Sequence, residues 1–201
     1  MSEWTQRLEN WVNKESYQLG KTITVKELED EGASCIEFSS TNNQLLKINC
    51  GNKNHLNFLT DTKNSDGVFL ELKDEKAVAL HFVELKRTIS LSKWTEVKGQ
   101  IRGSLKHSLG FLGVLNIPLP NKLVCHTVFQ FDGTAQEAQT KLADKKPLIG
   151  RKMPSRPNTK LLKEWSQKTV EISQVFPKFE HQKHQLTQQP SDQLPTKKVV
   201  L

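Results

Sequence analysis

The stretch SDGVFLELKDEKAVALHFVELKRT, residues 65–88, carries the strongest fold signal in the chain. Residues 66–72 and 77–86 are rich in β-forming apolar side chains, and a short charged turn separates them. This pattern predicts two strands of an antiparallel hairpin. A helical apolar period follows over residues 92–109, and residues 123–131 (LVCHTVFQF) form another strong strand pattern. The order strand, strand, helix, strand predicts an α/β fold with a mixed central β-sheet of three to five strands, flanked by helices.

The same hairpin gathers three charged side chains at one edge of the predicted sheet. Side chains on a strand alternate between faces, so Glu84 and Lys86 point the same way. Asp66 opens the first strand, and in an antiparallel hairpin the start of one strand lies beside the end of the next. We therefore expect Asp66 next to Glu84 and Lys86. The following helix carries Gln100 on the side that faces the sheet.

Two carboxylates and a lysine suit metal-assisted hydrolysis of a phosphodiester. Asp66, Glu84 and the backbone carbonyl of Leu85 offer the oxygen ligands that Mg²⁺ prefers, with Mn²⁺ as a substitute. A bound cation polarises a phosphoryl oxygen and lowers the pKa of a coordinated water. Lys86 would orient the attacking water or neutralise developing charge, and Gln100 would position one of these groups. The alternative is a structural cross-strand Glu-x-Lys pattern without catalytic function.

The run over residues 65–88, followed by a helix with Gln100, resembles the core of the PD-(D/E)XK nuclease superfamily. That group includes restriction endonucleases, junction resolvases and small defence-related nucleases. The resemblance implies that Asp66 is the metal-binding aspartate, Glu84 the second acidic ligand and Lys86 the catalytic lysine. Gln100 matches a helix glutamine that some branches carry. The likeness therefore implies an endonuclease-type hydrolase that depends on magnesium and binds DNA.

The resemblance covers about residues 34–131 and implies a restriction-endonuclease-like core. Ser65 stands where many members have a proline before the aspartate. Many members also carry a helix glutamate upstream, and here only Glu27 and Glu31 are candidates for it. The resemblance favours DNA over RNA as the substrate, and it is compatible with a homodimer or with partner proteins of a larger system.

The charge of the chain agrees with a polyanionic partner. The formal net charge is +7 and the sequence pI is about 9.3, which favours nucleic acid, although a mildly basic protein without such a partner is also possible. Six basic residues are candidate phosphate contacts, three on the central helix and three in a later proline-containing segment. These are Lys93, Arg102, Lys106, Arg151, Lys152 and Arg156.

Length and cysteine usage predict the organisation and the compartment. We expect one nuclease-like α/β domain over residues 1–176 and a basic, disordered tail over residues 177–201, which is rich in Gln, His and Lys. The three cysteines form no C-x-x-C pair, which is typical of a reducing compartment. The start of the chain has no signal-peptide pattern, and no stretch is long and apolar enough to cross a bilayer. These features predict a cytoplasmic protein.

Weaker patterns predict the remaining elements. Trp4 and Leu8 have helical spacing near the start of the chain, whereas Cys35 and Cys50 lie in strand-like runs. Helices are predicted at residues 3–18, 135–144 and 159–176, a hairpin at 35–38 and 44–50, and a loop or short buried strand at 111–117.

Two other functions remain open from the sequence. The first is a non-catalytic module that holds nucleic acid on its basic face. The second is a protein-interaction module of a larger defence or repair complex, which would dock through the helix at residues 159–176. The histidines add no catalytic pattern, because His81 and His126 fit satisfied strand positions and His181-x-x-His184 lacks an acidic or thiol partner.

Overall fold

The computed structural model describes residues 2–27, 34–49, 63–137, 159–176, 178–187 and 194–201. The helices in these ranges are α1 (Glu3–Trp11), a short 3₁₀ turn (Lys14–Ser16), α2 (Leu91–Leu115) and α3 (Thr159–Ser166). The strands are β1 (Tyr17–Gly20), β2 (Thr22–Glu27), β3 (Ser34–Ser39), β4 (Gln44–Ile48), β5 (Gly67–Lys73), β6 (Lys76–Ile89), β7 (Lys122–Asp132), β8 (Thr169–Val170), β9 (Phe179–Gln185) and β10 (Thr196–Val200).

Within the described ranges, seven strands form one large mixed sheet in the order β1-β4-β5-β6-β7-β9-β8. Three more form a small sheet in the order β10-β3-β2. In the large sheet β5 pairs with β6 in antiparallel orientation, whereas β6, β7 and β9 run parallel. Helix α2 makes the crossover that a parallel β6–β7 connection requires. The α/β prediction is therefore confirmed, with a larger sheet than the three to five strands expected.

The predicted hairpin of β5 and β6 is present. Asp74 and Glu75 form its turn with φ of 48° and 63°, the left-handed values that suit a two-residue hairpin turn. The indole N–H of Trp4 donates to the carbonyl of Glu75 at 3.0 Å, which ties α1 to the turn. Gly67 pairs with Val83, so the residues just before β5 lie beside the second half of β6.

Helix α2 is longer than its sequence pattern suggests. Ser90 accepts a hydrogen bond from the backbone N–H of Lys93 and starts the helix. Buried Leu112 and Leu115 continue its apolar stripe, and Asn116 ends the helix with φ of 57°. The expected loop or strand at residues 111–117 is wrong, because the helical period continues for two more turns.

The large sheet is covered on both faces. Helices α1, α2 and α3 pack on one face, where Trp4, Trp94 and Trp165 join the apolar cluster of the strands. The small sheet packs on the other face, where Phe38 contacts Phe69 with ring centroids 5.0 Å apart. This three-layer arrangement explains why most of β6 is buried on both faces.

The hairpin expected at residues 35–38 and 44–50 is wrong. Both segments are strands, but β3 pairs with β2 and β10 while β4 pairs with β1 and β5. The polar residues between them carry the chain from one sheet to the other. Ser40 stabilises this connection by accepting from the backbone N–H of Asn43 at 3.1 Å. Cys50 lies outside the described residues.

The tail expected to be disordered forms strands instead. Residues 179–185 form β9 on the edge of β7, and residues 196–200 form β10 beside β3. These segments are polar, but backbone pairing with existing strands satisfies their N–H and C=O groups. Composition alone underestimates such strands, because their order comes from the partner strand.

Helix α3 is shorter than the helix predicted over residues 159–176. It ends at Ser166, because Val170 then pairs with Phe179 at the start of β9. Its Trp165 packs edge-on against Trp94 at 5.3 Å between ring centroids. The apolar face that the sequence offered for docking a partner is therefore used inside the domain. The predicted helix at 135–144 begins as a helical turn over 134–137, and the rest lies outside the described residues.

Gly67 lies where a side chain would collide with the small sheet. An added Cβ would be 2.5 Å from Val25 Cγ2, so Gly67→Ala is expected to separate β2 from β5 and lower the free energy of unfolding. The expected loss is about 1–3 kcal/mol. Gly99→Ala is the matched control, because a Cβ there meets nothing within 4 Å and should stabilise α2 by about 0.5–1 kcal/mol. Urea unfolding measures both variants; an unchanged Gly67→Ala would contradict this packing.

Candidate functional site

The structure brings Asp66, Glu84 and Lys86 together at one end of the hairpin. The Lys86 ammonium lies 2.6 Å from Glu84 Oε1. The backbone N–H of Leu85 donates to Asp66 Oδ2 at 2.7 Å, which fixes the aspartate against β6. All three side chains belong to the face of the sheet that α2 covers, since Phe82 has the same parity as Glu84 and packs in the helix-side cluster. The predicted juxtaposition is present.

Helix α2 is hydrogen-bonded to the residue just before Asp66. The backbone N–H of Ser65 donates to Ser104 Oγ at 2.7 Å, and Gln100 lies one turn earlier on the same side of the helix. The Oε1 atom of Gln100 is buried and accepts no hydrogen bond from the described residues. Gln100 thus presents an unused acceptor on the helix face that contacts the start of β5, as the sequence led us to expect.

Among the residues of the site, Glu84 has the most strongly shifted pKa. It is fully buried, and burial raises the pKa of its carboxyl to about 8, with a further rise from the charge of Asp66. Lys86 opposes this rise through its charge and its hydrogen bond. The pKa remains raised, so the single partner Lys86 offsets only part of the cost of burying this carboxylate, and strongly shifted pKa values of this kind are frequent in functional sites.

Lys86 is held in its charged form. Burial lowers the pKa of its ammonium, but the charges of Glu84, Asp66 and Glu27 together outweigh that effect and leave the pKa raised. Lys86 therefore serves as a cation beside the two carboxylates. It does not act as a neutral base, because deprotonation would leave these acids without their positive partner.

Glu27 is a further acidic neighbour that the sequence identified only as a candidate upstream helix glutamate. The structure places it at the end of strand β2, where its charge raises the pKa of both Glu84 and Lys86. No local pattern predicts this position, because it depends on how the small sheet packs on the large one. Glu31, the other candidate, lies outside the described residues.

Three lysines place positive charge around Glu96, on the first turns of α2. Glu96, on the first turns of α2, has a lowered pKa because Lys93 donates a hydrogen bond to it and because Lys86 and Lys63 add positive charge. Three lysines therefore lie around one turn of α2. Lys63 was not among the predicted phosphate contacts, whereas Lys93 was.

The other predicted phosphate contacts lie elsewhere. Two residues along an α-helix are rotated by about 200°, so Arg102 points away from the face that carries Gln100. Its Nε donates to the carbonyl of Ile172 at 3.2 Å, in the segment after α3. Lys106 is one turn further along the face that carries Arg102. The remaining candidates are outside the described residues; they are Arg151, Lys152 and Arg156.

Strand β7 places a polar pair beside Glu84 that the sequence did not indicate. Thr127 is the register partner of Glu84 and is fully buried. Its hydroxyl lies 3.2 Å from Nε2 of His181 on β9. Burial and the charge of Lys183 lower the pKa of His181 to about 4, so this imidazole is neutral near pH 7. The pair is a neutral polar wall next to the buried carboxylate.

The residues present fit a divalent cation held by few protein ligands. Apart from the ion pair with Lys86, neither oxygen of Glu84 receives a hydrogen bond from the described residues. Asp66 lies beside it, and the Leu85 backbone is fixed by the bond to Asp66. Mg²⁺ is commonly bound by one or two carboxylates and retains water ligands. No group of three or more His, Cys, Asp or Glu side chains suited to a metal occurs among the described residues.

Comparisons with protein-family models, with curated proteins and with solved structures find no match to this chain. In the part of the chain that the structure covers, no helix combines the length and apolar character needed to cross a bilayer.

Proposed function

We propose that the protein is a metal-dependent nuclease that hydrolyses phosphodiester bonds, with a PD-(D/E)XK-type site and Mg²⁺ as its cofactor. The observation that carries this proposal is Glu84. A fully buried carboxylate, whose oxygens lack hydrogen bonds apart from the lysine ion pair, lies beside a second carboxylate. A structural glutamate at this depth would be expected to have its oxygens satisfied by hydrogen-bond donors.

Each site residue has a role in the proposed reaction. Asp66 and Glu84, together with the carbonyl of Leu85, would hold the cation. When bound, Mg²⁺ would polarise a phosphoryl oxygen and lower the pKa of a coordinated water. Lys86 would orient the attacking water and offset negative charge on the phosphorane oxygens. The free acceptor of Gln100 would receive a hydrogen bond from Lys86 or from the water.

DNA is the proposed substrate, and Lys63 and Lys93, which lie near Glu96, are its proposed phosphate contacts. Both lie near Glu96 with Lys86, so a phosphate backbone entering there would meet positive charge before reaching the carboxylates. We also propose a cytoplasmic location, since the two described cysteines, Cys35 and Cys125, are buried free thiols.

A non-catalytic nucleic-acid-binding module is the second candidate. The lysines near Glu96 favour it, because they would bind phosphates whether or not a cation is present. The two functions differ in their cofactor. A binding module would keep its salt-dependent affinity for DNA after Asp66→Ala, and it would not cleave DNA with Mg²⁺ or Mn²⁺.

Cation binding is expected to stabilise the protein. At a free Mn²⁺ concentration about ten times the dissociation constant, the free energy of unfolding should rise by about 1.4 kcal/mol. For a chain of this size that corresponds to an increase in Tm of about 3–6 °C. Asp66→Ala should remove the increase, and EDTA should reverse it in the wild-type protein. Thermal unfolding with and without Mn²⁺ measures the effect at pH 8.5, where Glu84 ionises.

Glu37→Gln is the control for this experiment. Glu37 lies on β3 of the small sheet, in an exposed ion pair with Lys198, and belongs to neither strand of the hairpin. It should keep the whole Mn²⁺ response and the Mg²⁺-dependent cleavage of plasmid DNA. Stabilisation that persists in Asp66→Ala would place the cation elsewhere and contradict the proposed site.

A further inference from the structure

Three histidines on neighbouring strands form a buried hydrogen-bonded chain, called here the histidine chain. His81 Nδ1 lies 2.9 Å from His126 Nε2, and His126 Nδ1 lies 3.0 Å from His184 Nε2. All three residues are buried, and His126 is completely so. At one end, His81 Nε2 lies 3.5 Å from Glu71 Oε2. The chain is on the face of the large sheet opposite to the candidate site, because His81 and Glu84 have opposite parity on β6.

The geometry defines one neutral arrangement of protons. A neutral imidazole has one N–H and one acceptor nitrogen. Because the carboxylate of Glu71 accepts, His81 carries its proton on Nε2 and accepts on Nδ1. His126 must then donate from Nε2 and accept on Nδ1, and His184 must donate from Nε2. In the neutral chain each N–H between neighbouring histidines therefore meets an acceptor nitrogen, whereas protonation of two adjacent histidines would set two N–H groups against each other.

The small sheet rests directly on these rings. Phe38 of β3 lies 4.7 Å from the His126 ring and 6.3 Å from the His184 ring, measured between centroids. Phe69 stacks on His81 at 4.5 Å. Around them β2 and β3 present Ile23, Val25 and Ile36 to the same apolar cluster. A charge in the histidine chain would therefore appear inside the apolar contact between the two sheets.

The charged groups near the histidine chain do little to stabilise added protons. Burial lowers the pKa of all three histidines, and the pKa of His184 falls to about 4. The neighbouring charges of His81 and His184 lower the pKa of His126 further. Outside the chain, two acidic groups favour the charged form of His81, and three basic or titratable groups oppose charge on one or more of the rings. The acidic groups are Glu71 on β5 and Glu180 on β9. The opposing groups are Lys122 on β7, Lys197 on β10 and, on the opposite face of the sheet, His181 on β9.

We propose that the histidine chain is a pH-sensitive latch, which holds the small sheet against the large sheet when neutral and loosens it when protonated. The proposal does not depend on the nuclease function. The ordinary pKa of a histidine in an unfolded chain is about 6.5, above the values in the folded protein. The latch is therefore fully closed above that pH, and its contribution to stability is lost as the pH falls from 6.5 towards 4.

Hydrogen exchange of the full chain at pH 7.5 and pH 5.0 tests the latch, with rates corrected for the intrinsic effect of pH. Backbone amides of β2, β3 and β10 are expected to lose protection at the lower pH by about tenfold or more, while amides in the middle of α2 keep theirs. His184→Gln should diminish this change, because a glutamine amide can donate to His126 Nδ1 but takes up no proton, which leaves two titrating histidines in the chain. His181→Gln is the control on the opposite face and should keep it.

Two results would overturn the latch. One is equal protection of the small sheet at both pH values in the wild-type protein. The other is an undiminished acid response in His184→Gln. If that variant does not fold, ¹⁵N spectra of the wild-type imidazoles decide: neutral Nε2–H forms of His81, His126 and His184 at pH 7.5 support the latch, and an imidazolium or an Nδ1–H form of His81 contradicts it.

Discussion

Lys86→Met is expected to slow DNA cleavage by about 10²–10³-fold while a divalent cation still binds. The ammonium of Lys86 lies 2.6 Å from Glu84 Oε1, and in the proposed reaction it would act on the water and the phosphate next to the carboxylates. It supplies no ligand atom to a cation, because an ammonium has only donors. Methionine keeps most of the side-chain volume and removes the charge, so the variant separates chemistry from cation binding.

The measurement combines Mg²⁺-dependent plasmid cleavage with the Mn²⁺ shift in Tm at pH 8.5. Asp66→Ala should lose both signals, whereas Lys86→Met should lose only cleavage. Lys47→Met is the matched control. Lys47 is also half-buried, with a pKa lowered by burial, but its Nζ donates to the carbonyl of Thr24. Cleavage at the wild-type rate by Lys86→Met would show that Lys86 has no role in the reaction.

The sequence was sufficient to predict the hairpin and to predict that its three charged side chains lie close together. Strand alternation and a short polar turn are local properties, and they determine that Asp66 meets Glu84 across one strand pair. The burial of Glu84 was not predictable in the same way. It depends on α2 covering one face and on the strands packing around β6, which are contacts between segments far apart in the chain.

The errors in the pairing of β3 and β4 and in the tail share one physical cause. The segments at residues 35–38 and 44–48 have correct strand patterns, but their partners are chosen by distant strands. Likewise β9 is too polar to be predicted as a core strand, and it is stabilised because β7 pairs with it and because its histidines bond to other buried side chains. Pairing and polar satisfaction are non-local, so composition assigned these residues to a disordered tail.

The residues that surround and support the site also depend on contacts between distant segments, so local sequence did not predict them. Glu27 reaches the neighbourhood of Glu84 only because the small sheet packs over the large sheet. Ser104 anchors the backbone before Asp66 from the middle of α2, although Ser65 and Ser104 are 39 residues apart in the sequence. A sequence pattern can indicate which residues carry the chemistry, but it does not show which residues hold them in place.

Glu84→Gln is expected to raise the free energy of unfolding at pH 9 while it abolishes cation binding and cleavage. The pKa of Glu84 in the fold is about 8, above its ordinary value of 4.5. For a pKa raised on folding, the favourable contribution is complete below pH 4.5 and is lost as the pH rises through 8. At pH 9 the native state therefore carries a costly buried carboxylate. Glutamine removes that cost, for an expected gain of about 1–3 kcal/mol.

Glu71→Gln, in the same hairpin, is expected to change the free energy of unfolding in the direction opposite to Glu84→Gln. Hydrogen bonding to His81 lowers the pKa of Glu71, so its contribution to stability is present above about pH 4.5 and is lost on acidification. Its replacement should destabilise the protein at both pH 6 and pH 9, as measured by urea unfolding without divalent cations. If Glu84→Gln also loses stability at pH 9, Glu84 is a structural partner of Lys86 and the nuclease site is not supported. A gain in stability together with lost Mn²⁺ binding is expected only of a carboxylate that is kept for function at a cost to the fold.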